Sequence, residues 1–211
     1  MSEYVKTDLQ FMEDYIDRMD KVFDGLYGSQ STVNGSYNHV APNWNDKISR
    51  LTGRILLDTG NKIERMGCYF SNMMRRLSSA YQMLDDNYGE NHVWTAVFRP
   101  KKLENAVNLE DDEMDRRING TTVDGIKSFE RAMREYLDET WKNVRAVQTA
   151  YDNMQGHWDD NEYRRTGDRV EEFCNSMTQN LSDLEQALAW IMERRRYFEE
   201  ALDILSKRDD S

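Results

Sequence analysis

Residues Asn43 to Gly53 read NWNDKISRLTG, and Trp158 to Gly167 read WDDNEYRRTG. A shift of 114 positions places Trp44 on Trp158, Asp46 on Asp160, Arg50 on Arg164, Thr52 on Thr166 and Gly53 on Gly167. The same ungapped offset aligns the apolar residues on both sides. Upstream, Tyr15, Met19, Phe23, Tyr27, Val33, Tyr37 and Val40 fall on Phe129, Met133, Leu137, Trp141, Val147, Tyr151 and Met154. Downstream, Ile63, Phe70, Met74, Leu77 and Leu84 fall on Met177, Leu184, Leu188, Ile191 and Phe198. The reading that follows is an old duplication, one unit written twice.

The apolar residues of each unit recur every three to four positions. Phe129, Met133, Tyr136, Leu137, Trp141, Val144, Val147, Tyr151 and Met154 form one face of a continuous helix. From Cys174 the series Met177, Leu181, Leu184, Leu188, Ile191, Phe198, Leu202 and Leu205 steps by four and three, the spacing of a coiled-coil seam. A helix over about 160–206 would be on the order of 70 Å long. Between the two helices of each unit sits the tryptophan, preceded by a breaker (Pro42, Gly156) and followed by Asp46 or Asp160, each suited to cap the next helix. Each unit thus predicts helix, tight turn at tryptophan, long helix. In the first unit GSQSTVNGSYN is rich in small and polar residues, so its first helix is expected to fray or break after Tyr27.

The expected fold is all-α: two antiparallel helical hairpins in tandem, elongated and like a four-helix bundle or coiled coil, with hairpins over 1–86 and 123–211 and a connecting segment over 87–122. That segment contains Pro100 and fits neither repeat; its apolar stretch HVWTAVF should anchor Trp94 and Phe98. Two prolines, eleven glycines and 32% charged residues suit long helices better than a turn-rich β protein. A net charge of −11 argues against a nucleic-acid or anionic-membrane surface. The first ten residues lack a basic and apolar leader, and no stretch approaches the roughly 18 apolar residues of a membrane span. The chain is therefore expected in the cytoplasm when made, and any export would proceed without a cleavable signal.

Some residues stand out against this background. Gly53, Gly60 and Gly67 lie seven apart on one helical stripe. Either another helix or a bulky side chain approaches closely there, making the stripe a candidate interface, or LDTGNK is a break and the helix begins near Asn61. Arg195 occupies a seam position and is a second candidate interface residue: its stem lies along the core, or it pairs with an acidic residue of a partner. Arg50 and Arg164 could pair with Asp46 and Asp160 or face solvent. Cys68 and Cys174 read as buried free thiols. Three scattered histidines, His39, His92 and His157, and the lack of metal-ligand, phosphate-loop or nucleophile motifs give no catalytic residue, cofactor or metal. No enzymatic activity is expected.

A tryptophan turn joining two amphipathic antiparallel helices, present here at Trp44 and at Trp158, resembles the Trp-x-Gly (WXG) superfamily of helical hairpins from type VII secretion systems. The resemblance covers roughly 11–86 and 125–206, with the family's glycine replaced by Asp46 and Asp160. It implies dimers of hairpins that act as bacterial secretion substrates or accompany a larger effector. A tandem chain could form the equivalent bundle within itself, or its hairpins could pack on the helical N-terminal domain of an effector. The family's export signal, Tyr-x-x-x-Asp/Glu, is matched by Tyr81 with Asp85 and Tyr4 with Asp8, but after the second hairpin Tyr197 meets Ala201. The alternative reading is a cytoplasmic structural or scaffolding coiled coil.

Overall fold

A computed structural model of the chain describes residues 3–44, 46–88, 97–99, 101–109, 120–157 and 161–209. Four helices, α1 (Glu3–Val40), α2 (Lys47–Tyr88), α3 (Gly120–Asp152) and α4 (Asn161–Asp209), contain most of them, with a 3-10 turn at Ala41–Asn43 between α1 and α2. No strand occurs among the described residues, and the helices pack on one another as an all-α bundle. Among the same residues no helix is long and apolar enough to cross a membrane.

Helix α1 does not break after Tyr27 but continues to Val40. Its polar residues are used inside the protein. Gln30, Ser31 and Asn34 are buried, and a polar side chain removed from water is tolerated when its hydrogen bonds are satisfied. Gln30 Oε1 accepts from the Tyr136 hydroxyl at 2.6 Å, while Gln30 Nε2 donates to Asn34 Oδ1 at 2.8 Å and to the Leu56 carbonyl at 3.0 Å. Helix α2 likewise runs through LDTGNK without interruption.

The chain forms two compact units, and each draws on all four helices. Unit 1 comprises Met1–Tyr27, Lys62–Lys102 and Lys142–Met177; unit 2 comprises Gly28–Asn61, Leu103–Trp141 and Thr178–Ser211. In unit 1 the core is aromatic. Phe23 meets Phe70 and Phe98 edge-on, both with centroids 5.4 Å away, and Phe173 at 6.3 Å. Phe98 is thereby anchored, as its apolar setting predicted, and Lys101 pairs with Asp24; Trp94 lies outside the described residues. On the α2–α4 side of unit 1, Thr166 is buried between the Tyr69 hydroxyl at 3.1 Å and Met73 Sδ at 3.0 Å.

Unit 2 has a more polar interior. Besides the Gln30 network, Asn180 of α4 donates to Asp58 at 2.9 Å and to Thr59 at 3.0 Å, joining α4 to α2. Helices α3 and α4 run antiparallel there, as the pairs Arg195–Glu130, Arg134–Met192 and Trp141–Glu185 require. Most of the expected α4 seam is buried, from Met177 to Phe198, but Leu205 is 55% exposed. Of the two cysteines, both free, Cys68 is exposed rather than buried, and Cys174 is half-buried with its thiol pushed up to about 11, first by burial and then by Asp152.

The glycine stripe permits close approach. A Cβ at Gly67 would fall 2.5 Å from the Tyr27 hydroxyl oxygen, which is buried and has no hydrogen-bond partner among the described residues. Gly67→Ala is expected to destabilise the protein by about 1–2 kcal/mol, because the overpacking outweighs the gain of roughly 1 kcal/mol in helix propensity. In a Tyr27→Phe background the obstructing oxygen is gone, so the same substitution should become neutral or stabilising. Urea titration of the four proteins in the cycle checks the reversal of sign.

Candidate functional site

The residues singled out by the repeated motif meet at the junction of α1 and α2. Pro42 fixes the backbone within the 3-10 turn, and the Trp44 N–H donates to the Ala41 carbonyl at 3.1 Å, closing it. The chain then extends through Trp44 (φ −139°, ψ 75°), and the indole enters the core of unit 2, 3% exposed and 6.4 Å from the Phe129 ring. Its Nε1–H is satisfied by Asp46 Oδ2 at 3.0 Å.

Asp46 has a second task. Its Oδ1 accepts the backbone N–H of Ile48 at 2.8 Å and of Ser49 at 2.9 Å, capping the start of α2. The carboxylate also opposes the positive end of the helix, and Arg194 of α4 comes within 3.7 Å of Oδ2. One aspartate thus holds the tryptophan with one oxygen and the helix with the other. A glycine in its place could do neither.

A tyrosine completes the turn. The Tyr37 hydroxyl donates to the Ser49 carbonyl at 3.1 Å, and its ring lies against Gly53, where a Cβ would fall 2.6 Å from Cζ. Burial raises the Tyr37 pKa above the ordinary phenol value; the bond to Ser49 opposes this and the nearby Asp46 charge adds to it. In the second sequence half, Trp158 and Asp160 lie outside the described residues. The flanking elements are described. Helix α3 leaves through turns over 153–157 that include Gly156, whose φ of 91° suits a residue without Cβ. The Tyr151 hydroxyl donates to the Tyr163 carbonyl at 3.0 Å, and its ring lies against Gly167, a Cβ there falling 2.8 Å from Cζ. Both tyrosines therefore reach across to a carbonyl twelve residues on and cover a glycine four residues beyond it.

The remaining candidates are engaged within the chain. Gly53 lies under Tyr37 and Leu109, Gly60 under Leu103, and Gly67 under Tyr27. Arg195 pairs with an acid, but the acid belongs to α3: Nε is 2.7 Å from buried Glu130 and Nη1 is 2.7 Å from Glu199, which also holds Lys127 at 2.8 Å. Glu130 raises the Arg195 pKa further, while Lys127 foremost, then Arg195, hold the Glu199 carboxyl below the ordinary glutamate range. Sequence reading missed Glu130. Its trace was present, because Arg195 and Glu130 both interrupt otherwise apolar faces of helices expected to be antiparallel. Arg50 is exposed on the first turns of α2 and Arg164 on those of α4. Chemically, the turn offers a plug and a cap. Both Asp46 oxygens are occupied, and among the described residues no three His, Cys, Asp or Glu side chains converge as metal ligands would.

Two outcomes are expected from this geometry. Trp44→Ala should cost about 3–5 kcal/mol from the lost core volume, and Asp46→Ala about 0.5–2 kcal/mol from the lost cap; chemical denaturation measures both. The second concerns acid. A carboxyl whose folded pKa is depressed contributes stability that is complete above its unfolded pKa, about 4.3, and is lost as pH falls through the folded value. The difference in melting temperature between the parent and Glu199→Gln should therefore hold at neutral pH and close only as the pH falls beneath the ordinary glutamate range.

No protein-family model matches the chain, and no curated protein and no solved structure is significantly similar to it.

Proposed function

We propose that the chain is a tandem pair of WXG-like helical hairpins that acts without catalysis, as a bacterial type VII secretion substrate or as the partner that accompanies a larger effector. The observation that carries this reading is the repeated latch: Tyr37 to Ser49 over Gly53, and Tyr151 to Tyr163 over Gly167. All three positions of the second set are those of the first shifted by 114, the offset that superposes the two tryptophan motifs. Two unrelated hairpins have no reason to share a donor, an acceptor and a glycine at one spacing.

The division into units supports the same reading. Shifted by 114, the boundary after Tyr27 falls on that after Trp141, and the boundary after Asn61 falls two residues short of that after Met177. Each unit thus contains the same parts of the repeat, exchanged between first and second copies. A two-fold dimer of identical hairpins would have that composition. In this reading one chain supplies both hairpins, and the seams that a single hairpin would offer to a partner are buried against its own second copy.

The test uses the native host. The tagged chain is followed in cell lysate and culture medium with the type VII motor ATPase intact and inactivated, and proteins recovered with it are identified by mass spectrometry. The expected result is ATPase-dependent appearance in the medium, or stoichiometric recovery of an effector with a helical N-terminal domain. Retention in the cell with neither outcome would favour the cytoplasmic scaffold.

A further inference from the structure

Helix α4 carries a second apolar stripe, within unit 2 and outside the core. Trp190, Tyr197 and Ile204 lie seven residues apart and are 45%, 48% and 61% exposed. Trp190 and Tyr197 each precede a buried residue of the inner seam, Ile191 and Phe198. One residue along a helix is a rotation of about 100°, so the stripe is turned off the seam. Ala201, also exposed, lies between the second and third of these side chains. A recurrence of seven keeps one line of a helix in register with a second helix lying along it. Tryptophan and tyrosine are also the side chains that most often anchor interfaces.

The two flanks of the stripe differ in charge. Glu193 and Glu200 lie on one side, Arg194 and Ala201 on the other, and all four are exposed. The Tyr197 hydroxyl donates to Glu193 Oε1 at 3.2 Å, and Arg196, over the Tyr197 ring, is paired with Glu200 on its own helix. Arg194 stands 3.7 Å from Asp46 and 5.2 Å from the centre of the Phe198 ring. Two parallel copies of α4 about a two-fold axis along the helices bring unlike flanks together, with Arg194 of each copy beside Glu193 of the other. Antiparallel pairing centred on Tyr197 brings like flanks together and sets Glu193 of each copy beside Glu200 of the other. The charges therefore complement each other in the parallel pair and repel in the antiparallel one.

We propose that the occupant of this stripe is a second copy of the chain, whose α4 lies parallel to the first about a two-fold axis. Trp190, Tyr197 and Ile204 make the contact, and the small side chain of Ala201 lets the helices approach. The stripe is separate from the seams buried within the bundle, so the inference does not depend on the proposed function.

The test uses the full-length chain in sedimentation equilibrium across the micromolar range. A monomer–dimer equilibrium is expected, and Trp190→Ala/Tyr197→Ala should raise its dissociation constant at least about tenfold. Cooperative melting should be retained, because both side chains are nearly half exposed. Direction is read by Ala201→Cys in a Cys68→Ser background, which removes the exposed native thiol. Parallel pairing sets residue 201 opposite itself, and oxidation should then give a covalent dimer that Cys68→Ser alone does not. Antiparallel pairing sets residue 201 opposite residue 193, about 12 Å along the helix from its counterpart and out of disulfide reach. A chain that stays monomeric throughout the range overturns the proposal and leaves the stripe to a helix of another protein. So does a dimer that the double substitution does not weaken, and a dimer that fails to cross-link at residue 201 overturns the parallel pairing.

Discussion

A tyrosine ring can lie flat against a neighbouring helix only where that helix has no side chain, and this steric requirement organises both junctions. Tyr37 on Gly53 and Tyr151 on Gly167 each bring the hydroxyl to a carbonyl near the start of the helix that follows the turn. The position of that first turn then decides the rest. At the first junction it sets Ser49 and Ile48 where Asp46 can cap them, and Asp46 in turn orients the indole that fills the core against Phe129. Each glycine within a helix costs roughly 1 kcal/mol relative to alanine. Burial of a tyrosine ring offsets that cost and fixes the helices at a separation that larger residues would prevent.

Periodicity made the helices legible, because the apolar positions that alternate by three and four are the ones that become buried. Met133, Tyr136, Val147, Met177, Leu181, Leu184 and Ile191 all lie in the core, and Trp44 with Asp46 forms the plug and cap that their order suggested. Polar residues were misread where they fall inside. GSQSTVNGSYN has the composition of a loop, and composition cannot distinguish a solvated serine or asparagine from one whose hydrogen bonds are met within the fold. Its spacing held the missing information, since Ser31, Asn34 and Asn38 share one helical face. At the end of α4 the error was opposite: Leu205 continues the seam in sequence, yet it is exposed.

The interior polar groups also bear on which helix faces pair. Apolar seams of similar spacing can slide by a heptad at little cost, because leucine against leucine is satisfied in either register. Gln30 cannot slide. Its oxygen accepts from the Tyr136 hydroxyl of α3 and its Nε2 donates to the Leu56 carbonyl of α2, so a shift of either helix would leave a buried polar group unpaired. Asn180 imposes the same condition on α4 through Thr59, and Glu130 with Arg195 does so between α3 and α4. A buried ion pair is weak support for stability, but one partner without the other is strongly unfavourable, and that asymmetry selects a single arrangement.

These constraints change what a partner of this chain can recognise under the proposed reading. A lone hairpin recognises others through its apolar seam, but here α1 packs on α3, α3 on α4, and the seam residues are buried among themselves. The glycine stripe, which in sequence resembles a site for a foreign helix, is taken up by Tyr27, Tyr37, Leu103 and Leu109 of the same chain. The segment over Gly53 and Gly60 is held by hydrogen bonds from an α1 face to an irregular main chain, with Val107 in the core. Under the proposed reading, fusing two hairpins into one chain would commit to its own second copy the seams that a lone hairpin offers a partner.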